Sequence, residues 1–180
     1  MSKQSYDYDN LNPTATVLRG LDPMVIEKPR APIHIHTYGG ETPFFQGLAQ
    51  GKLMATKCKN RKCKPAGKEG QVFLPPRVYC PDCLEKTAWV DVTEAARTTA
   101  KIHTHITVAN PGAFNRVPVP CEVISVEIEG VNTIMMSYLR SGKPQIGLPI
   151  QPVFETAKPT FTILDLSWEP RKVEKAEKKK

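Results

Sequence analysis

Four cysteines in two close pairs constrain the fold of this chain more than any other feature of its sequence. Cys58 and Cys63 have four residues between them, sixteen residues follow, and Cys80 and Cys83 have two between them. Two such pairs brought together offer four thiolates in a tetrahedron, which suits Zn²⁺ or a single iron. We therefore predict a rubredoxin-like zinc ribbon with one metal ion on these four cysteines.

Sulfur at all four positions leaves no coordination site for water or substrate, so the predicted metal is structural rather than catalytic. Binding on the order of 10–16 kcal/mol can fold a loop-rich segment that has little core of its own. Two alternatives stay open. Disulfides need an oxidising compartment, to which nothing in the sequence points. A redox pair at Cys80 and Cys83 leaves the other two cysteines unexplained.

Runs rich in Val, Ile, Thr and aromatic residues follow the cysteines and predict a mainly β fold. Glu129-Gly130 between two of these runs predicts a tight hairpin. Five or so strands with a Pro/Gly-rich loop at 109–120 fit an OB-fold barrel, although other small barrels share this periodicity. The predicted strands are Ala88–Val92, Ala96–Val108, Cys121–Ile128, Val131–Leu139, Ile150–Thr156 and Thr160–Leu166.

The chain is predicted to have four parts. Residues 1–41 carry four prolines and no lasting hydrophobic period, which indicates an N-terminal extension. A short helix and the zinc ribbon take 42–93, the OB-fold barrel takes 94–169, and 170–180 is a disordered basic tail. Six Lys/Arg against two Glu give residues 171–180 a charge of +4 out of the net +7. The basicity therefore indicates a solubilising end rather than a nucleic-acid surface.

The predicted helix begins near Thr42, which can cap it, with Pro43 in its first turn and Gly51 after its end. Three apolar residues, Phe44, Phe45 and Leu48, share one face of it. A helix this short is not stable alone, so the face must pack on another surface. We expect it to contribute to a partner interface; the alternative is that these side chains fill the chain's own core.

No convincing catalytic set is present in the sequence. Cys121 is the remaining cysteine, at the start of an apolar strand, where an inert buried thiol is expected. His103 and His105, like His34 and His36, share one face of an extended segment, which is a weak signal for metal binding.

No apolar run is long enough to span a membrane and no secretory signal is evident, so a cytoplasmic location is expected.

The order of these features resembles a known family. The string Pro43-Phe44-Phe45-x-Gly47-Leu48-x-x-Gly51-Lys52-Leu53 precedes the first cysteine pair, and Leu74-Pro75-Pro76-Arg77-x-x-Cys80-Pro81-x-Cys83 contains the second. A Trp89-Val90-x-Val92 strand and a barrel follow. This is similar to the zinc-ribbon/OB-fold proteins called domain of unknown function 35, over residues 42 to 168. The chain departs in its wider first cysteine pair, a longer insert at 64–73 and the N-terminal extension.

The resemblance implies a non-catalytic subunit that accompanies a thiolase or a related acyl-CoA condensing enzyme in a hetero-oligomer. The partner supplies the catalytic residues, and coenzyme A or acyl-CoA contacts the complex. The long extension favours a degradative system, such as the thiolysis that ends side-chain β-oxidation in anaerobic toluene breakdown, an aromatic-succinyl-CoA pathway.

A coenzyme A site on this chain would need cations near a groove. The loop-placed candidates are Arg77, Arg116, Arg140 and Lys143, each of which is also an ordinary surface charge.

The alternative function is a module that binds single-stranded nucleic acid, since zinc ribbons and OB barrels both do so. The predicted barrel strands at 96–108 and 121–139 carry Tyr138 as their one aromatic residue and few cations, so nucleic acid is the weaker hypothesis. A stand-alone acyltransferase using Cys121 ranks last.

Overall fold

The computed structural model describes residues 38–63, 70–110 and 117–172, together with two short strands nearer the N-terminus. The chain divides into two units, Met1–Thr37 and Tyr38–Lys180. In the first unit, strands β1 (Thr16–Leu18) and β2 (Val25–Glu27) pair antiparallel. The sequence does not predict them, because three-residue strands are too short to show alternation.

The second unit opens with a single 3-10 turn, Gly39–Glu41, that leads into helix α1, Thr42–Ala49. Pro43 lies in the first turn as predicted, and Gly51 follows the helix with a left-handed φ of +74°. The predicted cap at Thr42 is wrong. Its hydroxyl donates to the carbonyl oxygen of Gly39 at 2.9 Å, so it ties the helix to the preceding 3-10 turn instead of accepting a helix amide.

A three-stranded antiparallel sheet carries the cysteines. Its order is β4-β3-β5, with β3 (Met54–Lys57) in the centre, β4 (Val72–Phe73) on one side and β5 (Ala88–Asp91) on the other. Thr56 lies opposite Phe73 in β4 and Trp89 in β5. Because β3 ends at Lys57, the sheet delivers Cys58 directly to the metal-site region.

Residues 96–99 are helical, which corrects the predicted strand at 96–108. Helix α2 covers Thr93–Thr99 and only Lys101–Val108 forms strand β6. Asp91, which precedes the N-cap residue Val92, accepts the amide of Thr93, the first residue of the helix, at 2.9 Å. The β-branched Thr98 and Thr99 suggest a strand, but their hydroxyls bond back to the carbonyls of Glu94 and Ala95 within the helix.

Five strands form a barrel of the predicted OB type. Their order is β6-β7-β8-β10-β9, with β8 and β10 parallel and the other pairs antiparallel. The first and last strands meet again through Ile102 N to Leu148 O and Ile150 N to Ala100 O, both 3.0 Å. This closed order is that of the five-stranded OB barrel. Beside β6, the strands are β7 (Cys121–Glu127), β8 (Met135–Leu139), β9 (Ile150–Phe154) and β10 (Leu166–Pro170).

Two predicted strands are shorter or later than expected. Residues 131–134 form the turn before β8, because Asn132 and Thr133 accept the amides of Val72 and Leu74 at 2.7 Å rather than joining the barrel. Residues 160–165 form a loop and a 3-10 turn, Ile163–Asp165, before β10. The Val-, Thr- and Phe-rich composition at these positions predicts strands, but side-chain hydrogen bonds to the backbone take their place.

One apolar core joins the helix, the cysteine-bearing sheet and the barrel. Helix α1 packs against β3 and against the 3-10 turn at Ile163–Asp165, so it links the two sheets. The largest fully buried side chain is Trp168, in β10. The remaining large core residues with almost no exposure include Leu48, Leu53, Leu74, Ile102, Ile124, Met135, Ile150 and Leu166.

The helices of the described residues are short. Helix α1 has eight residues and α2 has seven. A membrane-spanning helix needs about 20 apolar residues, and none in the described part of the chain is long and apolar enough.

Candidate functional site

The first cysteine pair follows strand β3. The Cys58 amide donates to the carbonyl oxygen of Gln71 at 2.9 Å, which holds this residue beside the end of β4. The chain then turns at Asn60, whose Oδ1 accepts the amide of Lys62 at 2.9 Å and whose carbonyl accepts the amide of Cys63 at 3.0 Å. This Asn60 turn accommodates the four-residue spacing and returns Cys63 to the side of Cys58.

The second pair lies in a tight turn closed by a β-bridge between Tyr79 and Lys86. The amide of Cys80 donates to the carbonyl of Glu85, and the amide of Leu84 donates to the carbonyl of Cys80, both at 2.9 Å. Leu84 reverses the chain with a left-handed φ of 60°. The turn places the thiols of Cys80 and Cys83 on the same side.

The four sulfurs converge as the spacing predicts. Cys58 Sγ lies 3.7 Å from Cys83 Sγ, Cys63 Sγ lies 3.9 Å from Cys80 Sγ, and all four lie within 4.8 Å of one another. Ligands at about 2.3 Å from a tetrahedral Zn²⁺ lie about 3.8 Å apart, whereas a disulfide needs about 2.05 Å. The geometry fits four ligands around one metal ion.

The surroundings of the four thiols are unequal. Cys58, Cys63 and Cys80 are buried around Phe73, while Cys83 is only partly buried. Burial raises the pKa of the Cys58 thiol. The backbone amide of Glu85 lowers the pKa of Cys83 to about 7. Thiolates crowded into a partly apolar site repel one another, so a bound cation is what allows all four to be ionised together.

A groove of about 520 Å³ lies between the segment that leads into β7 and the end of β8. Arg140 lines it and is exposed, and no carboxylate among the described residues forms an ion pair with its guanidinium. Glu122 also lines it, but its carboxylate accepts the Thr107 hydroxyl at 2.9 Å. The remaining lining residues are Val117, Pro118, Pro120, Cys121, Tyr138, Leu139, Ser141 and Gly142.

Of the four cations predicted near a groove, the structure places one there. Arg140 lines the 520 Å³ groove, whereas Arg77 and Lys143 are exposed and do not line it. Arg116 lies outside the described residues. Arg140 is therefore the candidate with a concave surface beside it on which an anionic ligand can lie.

The described residues contain no nucleophile–base pair around Cys121. This residue pairs with Val108 while His105 pairs with Ile124, and three ladder positions amount to about 10 Å along the strands. His103 instead lies 3.3 Å from Glu127 through its Nδ1. The predicted buried thiol is only partly buried, and it lines the groove.

The two histidine pairs do not contribute to a metal site that the structure describes. The cysteine cluster is the one group of three or more candidate ligands in the described ranges. His103 and His105 therefore have no third ligand nearby among the described residues. His34 and His36 lie outside the described residues.

The apolar face of α1 is turned mostly inward. Phe44 and Leu48 are 2% and 0% exposed and belong to the core. Phe44 and Leu48 thus fill the chain's own core, which is the alternative that the sequence leaves open for this face. Phe45 is partly buried and stacks on Tyr38 with ring centroids 3.7 Å apart.

Sequence reasoning missed one group of residues that the structure brings together and two single residues with unusual backbone conformations. Val117, Pro118 and Pro120 form one wall of the groove although they read as an ordinary Pro-rich loop. Leu84 and Phe161 are exposed in left-handed conformations. No local signal marks the second pair, because bulky residues are not expected at positive φ.

Comparison with known proteins places the chain by its fold. No protein-family model matches the sequence, and no curated protein matches it. One similar solved structure is a protein of unknown function from the DUF35 family of Sulfolobus solfataricus, with 21% identity and a TM-score of 0.52. The match covers 74% of this chain and 87% of that one.

A second similar structure is the Ltp2–ChsH2(DUF35) aldolase. It has 19% identity and a TM-score of 0.55, over 76% of this chain and 98% of that one. At these identities the likeness concerns the fold and not the activity. Together with the four clustered cysteines, it shows that this chain shares the zinc-ribbon and OB-barrel fold of DUF35 proteins.

Proposed function

We propose that this protein is a non-catalytic, zinc-containing subunit of a thiolase-type acyl-CoA acyltransferase complex. The observation that carries the proposal is a closed four-cysteine site on a chain whose described residues hold no nucleophile–base pair. Support for a hetero-oligomer comes from the name of one fold relative, which joins a DUF35 chain to a second protein, Ltp2. The thiolase subunit would supply the nucleophilic cysteine and the acid–base histidines.

Zinc is the metal we assign to the four cysteines. Sulfur-only tetrahedral sites hold Zn²⁺ or iron, and the loop-rich sheet around this one has short strands of four, two and four residues. A metal that binds all four thiolates would fix the two turns relative to each other. Its role is to stabilise this sheet so that the chain can support its partner.

We assign residues 42–93 to the helix and ribbon, 94–169 to the barrel, 1–41 to an extension and 170–180 to the tail.

We propose that the complex acts in the cytoplasm on an aromatic-succinyl-CoA thioester in a degradative pathway. The metal-binding sheet and the barrel share one core through α1. Within residues 38–172, the sheet and the barrel therefore offer the partner one continuous support.

The described barrel surface lacks the rows of cations and aromatic side chains that binding of single-stranded nucleic acid would require. Single-strand binders line their grooves with cations and stacking aromatics. The described barrel strands instead pair their one lysine, Lys101, with Glu127 at 3.1 Å. The groove beside Arg140 has one cation and one aromatic, Tyr138.

We further propose that the Arg140 groove contributes to binding coenzyme A at the edge of the complex. Arg140→Ala should raise the KM of the assembled complex for coenzyme A about three- to tenfold with little change in kcat, because a charge-assisted hydrogen bond to a phosphate is lost. Lys143→Ala is the matched control, as it removes one nearby positive charge that does not line the groove. Equal KM values for the two variants would exclude the groove.

Co-expression with a thiolase-family subunit from the same source tests the assembly itself. A tag on this chain should recover the untagged thiolase in a fixed ratio through size exclusion, with about one Zn²⁺ per copy of this chain. Recovery of this chain alone, with the thiolase eluting separately, would refute the proposal.

A further inference from the structure

Two described residues other than glycine have a positive φ, Leu84 at 60° and Phe161 at 55°. Both are also exposed large hydrophobic residues, at 75% and 50% of their surface. A left-handed conformation is unfavourable for bulky side chains, and such strain persists only where the surroundings impose it. Each residue therefore needs a specific cause.

The cause at Leu84 lies in the cysteine turn. Its amide donates to the carbonyl of Cys80, while the carbonyl of Glu85 accepts from the amide of Cys80. This pair of bonds closes the turn around the metal site and requires chain reversal at Leu84. The hydrogen bonds of the cysteine turn therefore account for the left-handed conformation of Leu84.

The cause at Phe161 is a buried carboxylate. Asp165, 1% exposed, accepts the amide of Phe161 at 2.7 Å, the amide of Thr160 at 2.8 Å and the hydroxyl of Thr160 at 2.7 Å. No ion pair to Asp165 occurs among the described residues. Burying a carboxylate is costly, and here it serves to hold a loop whose tip presents a phenyl ring to solvent.

The surface beside this loop is an apolar hollow of about 200 Å³. Met136, 68% exposed, and Ile163, 40% exposed, lie at it. The other lining residues are Val117, Val123, Ser137, Tyr138 and Leu164. None of the lining residues is charged, although charged residues make up 24% of the chain. Val117 and Tyr138 also line the Arg140 groove, so the two concavities adjoin.

We infer that Phe161, Ile163, Met136 and this hollow form the docking surface for the thiolase subunit, an inference that rests on the proposed function. Nucleic acids and anionic membranes need cations, which the hollow lacks. Its volume lies below the range typical of drug-sized ligands and suits one apolar side chain of a partner protein. The occupant is an uncharged, apolar segment of the partner subunit.

The position of the surface connects it to the ligand groove. Because Val117 and Tyr138 belong to both, a partner seated on the hollow lies at the edge of the Arg140 groove. A coenzyme A thioester bound to the partner can then reach Arg140 without moving away from the thiolase. The hollow beside the strained loop and the groove beside Arg140 thus adjoin each other.

Phe161→Gly separates docking from folding, because it removes the side chain and also relieves the left-handed backbone. The isolated variant should melt no lower than the parent chain, while its Kd for the purified thiolase subunit rises about thirtyfold, as expected for a central aromatic anchor. Leu84→Gly is the matched control, since it relieves the same conformation on the ribbon; its Kd should stay within about twofold of the parent. Met136→Ser, on strand β8, should raise the Kd about fivefold or more without change in the fold.

The outcomes separate this inference from the proposed function. A parent chain that forms no complex with the thiolase overturns both. A parent complex whose Kd is unchanged by Phe161→Gly and Met136→Ser overturns the docking surface alone. Sedimentation of the isolated chain adds a third readout: a monomer is expected, and a dimer that Phe161→Gly dissociates would assign the surface to a second copy instead.

Discussion

Cys80 has no exposed surface, while Cys83, three residues along the same turn, is partly exposed. The spacing of the cysteines was enough to predict that all four meet, because close pairs of this kind have few other uses. The spacing does not reveal how the wide first pair closes. That depends on Asn60, whose side chain and carbonyl both accept amides of the turn.

Serine at position 80 should abolish stable metal binding. Cys80→Ser removes a buried ligand, so metal content should fall from about one equivalent to less than a tenth, with a loss of several kcal/mol in stability. Elemental analysis and thermal melting of the purified chain measure the two effects. Cys121→Ser is the control and should change neither, because Cys121 lies outside the sulfur cluster. Retention of a full equivalent by Cys80→Ser would contradict the four-cysteine site.

Removing the Asp165 carboxylate should destabilise the loop before β10. Hydrogen bonds to a charged group contribute about 1.5–3 kcal/mol each, so Asp165→Ala should cost about 3 kcal/mol or more in the free energy of unfolding. Glu155→Ala is the comparison, since its exposed carboxylate accepts the amides of Ala157 and Lys158 at 3.1 Å. It should cost less than about 1 kcal/mol in urea denaturation. Equal losses of unfolding free energy in the two variants would contradict a special contribution of the buried Asp165 carboxylate to stability.

At the scale of secondary structure, alternation of side chains predicts β7 to within one residue but misassigns the segment before β6. The segment Thr93–Thr99 has the β-branched residues of a strand, yet Ala96 is fully buried and the hydroxyls of Thr98 and Thr99 bond within a helix. Tertiary packing and side-chain hydrogen bonds within the helix therefore override β-propensity there. The parallel pairing of β8 with β10 also cannot be predicted from a local sequence pattern, because it depends on how the barrel closes.

Helix α1 offers a direct comparison of two neighbouring aromatic residues. Phe44→Ala should lower the stability of the isolated chain by about 3–5 kcal/mol, since it empties a core position that is 2% exposed. Phe45→Ala should cost less, because Phe45 is only partly buried against Tyr38. Chemical denaturation of both variants checks the order.

Phe45 also remains the one helix residue whose predicted interface role is open. If it contacts the thiolase, Phe45→Ala should raise the Kd about thirtyfold while the metal stays bound. A variant that melts early but binds with unchanged affinity would assign Phe45 wholly to the core.

At the scale of the whole molecule, the second unit joins a small cysteine-bearing sheet to a closed barrel through one helix. The barrel strands are predictable from the sequence, and the OB order agrees with them. The tight hairpin predicted at Glu129-Gly130 is wrong, because the seven residues 128–134 separate β7 from β8. The groove and the hollow are not predictable, because Val117, Tyr138 and Arg140 meet only after the barrel closes. The groove and the hollow thus depend on the topology of the barrel, whereas the cysteine cluster follows from the spacing of the cysteines in the sequence.

Thiolysis measured on separated and recombined subunits tests the central claim most directly. This chain, purified with its metal, should show no turnover of an acyl-CoA thioester with coenzyme A, because its described residues offer no nucleophile–base pair. The thiolase subunit alone should be poorly active or unstable, and an equimolar mixture should restore full activity. Turnover by this chain alone, or a thiolase whose stability and activity do not change when the chain is added, would contradict the assignment as a non-catalytic partner subunit.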